Sequence, residues 1–131
     1  MNHSCRVPAL LILLVLPVPV ACRENPLEPQ SPANGQVVAG LYAAGFEVSS
    51  FNPCGLNERW WVEDAPPSLT QAYSRLTTQP DELVYLRARG TRSRLGHYGH
   101  LGLYDREFRI TEILGIRKRI GDECPIQKHA G

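Results

Sequence analysis

No Gly-x-Ser-x-Gly elbow, no phosphate-binding glycine loop and no His-Glu-x-x-His pair occurs in this chain of 131 residues. Those absences remove three recognisable chemistries: serine hydrolysis on an α/β sheet, P-loop nucleotide binding and zinc peptidase action. Serine, histidine, aspartate and glutamate are present, but Glu58, Glu63 and Asp64 form no acid/base pair with an apolar neighbour to split their pKa values. No catalytic residue can be named, no cofactor is implied, and the expectation is a protein that is not an enzyme. Internal repeats are missing as well. So is a strong charge of either sign, since 14 basic residues stand against 13 acidic ones. A nearly neutral chain has little electrostatic reason to hold a nucleic acid.

No apolar run is long enough to span a bilayer comfortably, which takes roughly 20 residues. The longest, Val7 to Ala21, carries Pro8, Pro17 and Pro19, each of which removes a backbone donor and crowds the preceding turn. Its length suits the apolar region of a signal peptide, and Met1 to Arg6 ahead of it is polar with one fixed positive charge. Residues 1–21 are therefore read as a signal peptide. The segment Val18-Pro19-Val20-Ala21-Cys22 resembles the lipobox of bacterial lipoproteins, in which a small residue precedes a cysteine that is diacylated before cleavage. It departs from that pattern at Pro19, where the family has leucine. The resemblance implies a lipid on Cys22 that holds the chain to a membrane. With Arg23 rather than aspartate next, it also implies an outer-membrane or surface destination in the bacterial envelope. Ordinary secretory cleavage, giving a soluble secreted or periplasmic protein, is the alternative, and a retained anchor is a third.

Four cysteines are present, and two are spoken for. Cys5 leaves with the signal and Cys22 is the lipid site, so Cys54 and Cys124 remain. In an oxidising compartment two leftover cysteines pair, here closing a loop of roughly 70 residues. Two reduced, partly buried thiols are the alternative. About 110 residues follow the signal, enough for one domain with a modest core. Without Arg6 the basic residues number 13, matching the acids, but nine of them lie between Arg87 and Arg119. That asymmetry reads first as a solvated basic face.

Residues 22–36 hold three prolines and no apolar periodicity, the composition of a flexible tether. Ordered structure is expected over 37–124, with 125–131 as a tail. Val37 to Phe51 is rich in β-forming residues, with bends expected at Gly40 and Gly45, and Phe46 and Val48 alternate with Glu47 and Ser49 as in a half-buried strand. Arg59 to Glu63 predicts a short strand. Ser68-Leu69-Thr70-Gln71 fits a capping box, opening a helix whose apolar face is Leu69, Ala72, Tyr73 and Leu76 and which Pro80 ends. Glu82 to Gly90 predicts a strand with Val84, Leu86 and Ala88 inward. Glu107 to Ile120 predicts a last strand with Phe108, Ile110, Leu114 and Ile116 in phase. Several strands, one short helix and glycine-marked bends point to a small closed β-barrel, which leaves no sheet edge exposed.

Gly40-Leu-Tyr, Phe51-Asn-Pro-Cys-Gly, Trp60-Trp-Val and Val84-Tyr-Leu-Arg-Ala-Arg-Gly resemble the OB-type barrel domain of small bacterial lipoproteins, including the C-terminal domain of the envelope-stress lipoprotein NlpE. The likeness runs from about Val37 to Cys124 and implies an OB-like barrel with one short helix. The Cys-x-x-Cys copper motif associated with NlpE is absent, so a copper role does not carry over.

Three constellations remain as candidates. Gly96-His97-Tyr98-Gly99-His100-Leu101-Gly102 places His97 and His100 three apart on a loop, where both could reach one zinc or copper ion. The loop supplies no third ligand, and His129 is the only other histidine after the signal. The structural alternative is a glycine-rich hairpin packed on the barrel rim. Trp60 and Trp61 are adjacent, so in a strand one is core and the other exposed or under a loop, and the pattern does not say which. Arg87, Arg89, Arg92 and Arg94 with Tyr85 and Tyr98 are what an OB-type nucleic-acid surface displays. In an exported protein, solubility or contact with an anionic envelope component or another envelope protein is the more available role, and no nucleic acid is expected. The reading is a lipid-anchored, non-catalytic binding or structural module, with a metal-handling or stress-sensing lipoprotein using His97 and His100 as the alternative.

Overall fold

The computed structural model describes residues 35–125. The signal peptide, Cys22, nearly all of the Pro-rich segment, the tail beyond Pro125 and His129 lie outside the described residues. Among the described residues no helix is long and apolar enough to cross a membrane.

Strand β1 (Gln36–Gly45) turns tightly into β2 (Val48–Pro53), with Gly45 opposite Val48. The expected half-buried strand through Phe46 is therefore a two-residue turn. Its second residue, Glu47, takes φ +56, a conformation that glycine or asparagine adopts more cheaply. A turn here needs Gly45 before it and strand pairing on both sides, and side-chain alternation alone carries neither signal.

Next come β3 (Trp60–Asp64), α1 (Pro67–Leu76), β4 (Val84–Arg92) and β5 (Arg106–Lys118). The strands close in the order β1-β2-β3-β5-β4, with β4 pairing back to β1. Every pairing is antiparallel except β3 with β5. Five strands closed this way, with a helix between β3 and β4, make an OB-like barrel.

Helix α1 begins one residue before the expected capping box. Pro66 is the N-cap, Pro67 opens the first turn, and no side chain caps it. A proline at this place has no N–H to satisfy and a φ already suited to the helix, so Ser68 is left exposed inside the first turn. The helix stops at Leu76, four residues before Pro80. Leu69 and Tyr73 are its buried residues. They cover the barrel end where β3 finishes and β4 starts, with the Tyr73 hydroxyl donating to the Glu82 carbonyl at 2.9 Å.

The core is built from alternate residues of each strand. Phe51, Trp60 and Phe108 pack with ring centroids 5.2–5.8 Å apart, and Tyr42, Val62, Val84, Leu86, Ala88 and Ile110 pack with them beside Leu69 and Tyr73 of the helix. Gly90 is required here, since a Cβ would stand 2.3 Å from the Arg109 carbonyl oxygen where β4 crosses β5 closely. The phase expected for β5 holds at Phe108, Ile110 and Ile116 and fails at Leu114. Register shifts against β4 leave Thr111 and Leu114 without opposite numbers. Each bulge moves the following side chains to the other face. Ile113, not Leu114, therefore packs on the core, and Leu114 is 38 % exposed.

Cys54 and Cys124 form a disulfide with a sequence separation of 70. It fastens the segment after β5 to the turn after β2 and is worth about 4 kcal/mol in the chain-entropy account. Arg117 and Glu123 add a two-pronged ion pair within the same C-terminal turn.

Candidate functional site

The barrel end opposite α1 is filled by charge. Arg106, the first residue of β5, is 4 % exposed, and its Nε donates to Glu58 Oε2 at 2.8 Å. The same carboxylate oxygen accepts from the indole N–H of buried Trp60 at 2.6 Å. Arg106 Nη1 donates to the Ser93 carbonyl at 2.9 Å, and the Arg92 guanidinium lies 5.7 Å from the Trp60 ring centre. Burial alone would raise the Glu58 pKa, but hydrogen bonds from Arg106 and Trp60 and the nearby cationic charge outweigh it and hold the carboxyl below its ordinary value. With its hydrogen bonds made, this is a structural plug.

Above it, residues 93–105 form a hairpin folded back on the outside of β3. Ser93 and Glu107 bond backbone to backbone, as do Gly96 with Asp105 and Tyr98 with Tyr104. The Asp105 N–H donates to the Arg59 carbonyl at 2.8 Å, and the Asp105 carboxylate accepts the Arg59 N–H at 2.6 Å. Trp61 points outward and meets Tyr104 edge-on at 5.1 Å, with the Arg59 guanidinium 4.9 Å from the Tyr104 ring. Gly99, at φ +63, lies flat on Trp61, where a Cβ would come within 2.5 Å of the indole. The question left open by the Trp60-Trp61 pair is thereby answered: Trp60 is core, and Trp61 is the surface to which the hairpin is fixed.

The hairpin tip reaches the β1–β2 turn. His100 Nε2 lies 3.5 Å from Glu47 Oε2. Either side of that contact stand Phe46, 87 % exposed, and Leu101, 78 % exposed, with Leu103 at 59 %. Leu101 also takes φ +58. The two loops lie at the positions of the β1–β2 and β4–β5 loops that flank the ligand-binding face in OB folds.

The six residues proposed as a basic and aromatic face do not share one surface. Tyr85, Arg87 and Arg89 line the outside of β4 in alternate positions. Arg92 lies instead in phase with inward Leu86 and Ala88 and approaches Trp60. Arg94 and Tyr98 belong to the hairpin. The basic stretch is also paired with acids, three of them outside it in sequence and one within. Arg106 takes Glu58, Arg109 takes Glu63 at 2.9 Å, and Arg117 takes Glu123, while Arg89 takes Glu112 at 2.9 Å. Arg117 further covers the Tyr85 ring at 4.1 Å. A shallow cavity of about 220 Å³ on this outer surface is lined by Glu63, Thr91, Arg92, Ser93, Glu107 and Arg109.

His97 and His100 sit on the same hairpin, with His100 engaged by Glu47. No group of three or more His, Cys, Asp or Glu side chains fit to hold a metal ion occurs among the described residues.

Sequence reasoning passed over Phe46, Glu47 and Leu101. Side-chain alternation puts Phe46 in a strand, and the sequence shows Leu101 only as part of a glycine-rich motif. The usable signal was Gly45-Phe46-Glu47-Val48, a glycine ahead of two residues between β-rich runs, which fits a hairpin as well as a bulge. Comparison with protein-family models, with curated proteins and with solved structures finds no match for this chain.

Proposed function

We propose that this chain is a lipid-anchored protein of the bacterial envelope, held at the outer membrane through Cys22, and that its OB-like barrel is a non-catalytic binding module. The observation that carries the binding half is the fixing of hairpin 93–105. A loop whose only role is to connect β4 to β5 has no need of an aromatic clamp, a glycine fitted to the Trp61 ring and a reciprocal Arg59–Asp105 bond pair. Loops held this firmly on a barrel wall present side chains at fixed positions, and preorganisation of that kind lowers the entropic cost of binding. The lipid half is supported by the Val7 to Ala21 apolar run, by Ala21-Cys22, and by the resemblance to OB-type envelope lipoproteins.

The test is processing of the full chain in a bacterial host fed labelled fatty acid. The expected result is label on the mature protein, an acylated N-terminal Cys22 by mass, and accumulation of unprocessed precursor when Cys22→Ala is introduced or lipoprotein signal peptidase is inhibited. Normal processing of the Cys22→Ala chain would overturn the reading.

A further inference from the structure

Phe46 and Leu101 are the two most exposed large apolar side chains among the described residues, at 87 % and 78 %. They are 55 positions apart in sequence, yet the His100–Glu47 contact brings their loops together. Isolated exposed apolar residues are ordinary. Here each is the chain neighbour of one partner in the contact between two loop tips, and both tips hold a strained backbone. Glu47 and Leu101 sit at φ +56 and +58, a region that costs a non-glycine residue of order 1 kcal/mol or more. Leucine gains nothing from that conformation in the free protein, because its side chain is in water. The hairpin carrying Leu101 is clamped on Trp61, so the exposure is not that of a loose loop.

We propose that Phe46 and Leu101 form a paired apolar tip that dips into the surface of the bilayer to which Cys22 anchors the chain; the proposal rests on the lipid-anchored reading above. The chain length fits. Thirteen residues, Arg23 to Gly35, separate the anchor from the start of the barrel, a reach of about 45 Å when extended. Strand β1 carries the chain from Gln36 to the turn bearing Phe46, a span of about 30 Å. Reach exceeds span, so anchor and tip can meet one surface whatever the tilt of the barrel. Two shallow apolar side chains bind a bilayer weakly alone. An anchor makes their contact intramolecular and raises the effective concentration to the millimolar range. The His100 imidazole and the Glu47 carboxylate stand 3.5 Å apart between the two tips.

The experiment is hydrogen exchange on the full mature chain, acylated and reconstituted in protein-free vesicles of phosphatidylethanolamine and phosphatidylglycerol, against the Cys22→Ser chain in solution. The expected result is several-fold slower exchange confined to residues 45–48 and 99–103. Phe46→Ser with Leu101→Asn should abolish that protection. Because asparagine tolerates positive φ, the Leu101→Asn barrel should melt no lower than the parent, which separates lost contact from lost fold. An acylated chain with unprotected tips overturns the insertion and leaves the anchor standing. A mature chain without acyl groups overturns both. Protection that appears in native envelopes and not in protein-free vesicles overturns the bilayer as occupant and assigns the tip to a protein.

Discussion

The two ends of this barrel are closed by opposite means. At one, α1 lays Leu69 and Tyr73 over the core. At the other, a buried guanidinium and a carboxylate meet under the 93–105 hairpin. The apolar end gains from every methylene removed from water. The charged end recovers its desolvation cost only while each partner stays in place. The apolar end is therefore tolerant of graded change, and the charged end responds to loss of one atom group as to loss of the whole. The hairpin that we propose as the contact face is bonded at its base to the less tolerant end, through Ser93 and Asp105.

The largest expected effect comes from breaking the charged plug on one side. Arg106→Ala should cost about 3–5 kcal/mol in urea unfolding, because the half-buried Glu58 carboxylate keeps only the Trp60 N–H and the Ser93 carbonyl loses the Arg106 donor. Replacing both partners by apolar residues, Glu58→Leu with Arg106→Met, should recover part of that loss, less the cost of leaving the buried Trp60 N–H without its acceptor. Recovery would place the pair's role in packing. Failure to recover would show that the charges hold the hairpin, which loss of exchange protection over 93–105 would report. At the apolar end, Leu69→Ala should cost about 2–4 kcal/mol, the usual range for a buried leucine with partial collapse, and leave hairpin exchange unchanged.

These ends were unequally legible in the sequence. Leu69, Tyr73 and Leu76 announce themselves by helical spacing, and Val84, Leu86 and Ala88 by strand alternation, so the barrel, its helix and its disulfide could be expected. Glu58 and Arg106 lie 48 positions apart with no pattern joining them. Arg106 reads as part of a solvated basic face because nothing local marks a buried arginine. The same blindness affects pairings such as Arg109–Glu63 and Arg117–Glu123, which neutralise the basic stretch with acids from outside it. Phase errors arose where one residue changes everything downstream: the bulges at Thr111 and Leu114 and the turn at Phe46-Glu47 each reset which face a side chain takes. The tips at Phe46 and Leu101 follow from tertiary contact between loops, which periodicity cannot express.

A smaller effect is expected where the hairpin meets Trp61. Gly99→Ala combines a positive φ with a Cβ aimed into the indole, so the hairpin must lift from β3. The cost should be about 1–3 kcal/mol and be local. Faster exchange over 96–104 and a changed Trp61 fluorescence are expected, with α1 and its barrel end unaffected. If the α1 end loosens too, the two ends are coupled.

The smallest effect is a dependence on acid that should divide by location. Hydrogen bonds from Arg117, then from the Ile120 N–H, lower the Glu123 pKa to about 2 from an ordinary 4.5. Glu58 is also lowered, by its bonds to Arg106 and Trp60 acting against burial. A carboxyl depressed in the folded state stabilises the fold above its unfolded pKa and loses that contribution as pH falls through the folded one. The urea midpoint should therefore decline as pH drops from about 5 towards 2. Glu123→Gln should flatten part of that decline, and its loss should be felt in the C-terminal turn that the disulfide already fastens, so the change at neutral pH should be slight. Glu58→Gln should flatten the decline too, but with a large loss at neutral pH, since a neutral amide cannot balance buried Arg106. Equal losses at pH 7 for the two variants would mean that the buried pair contributes no more than the exposed one, and the charged end would then be as forgiving as the apolar end.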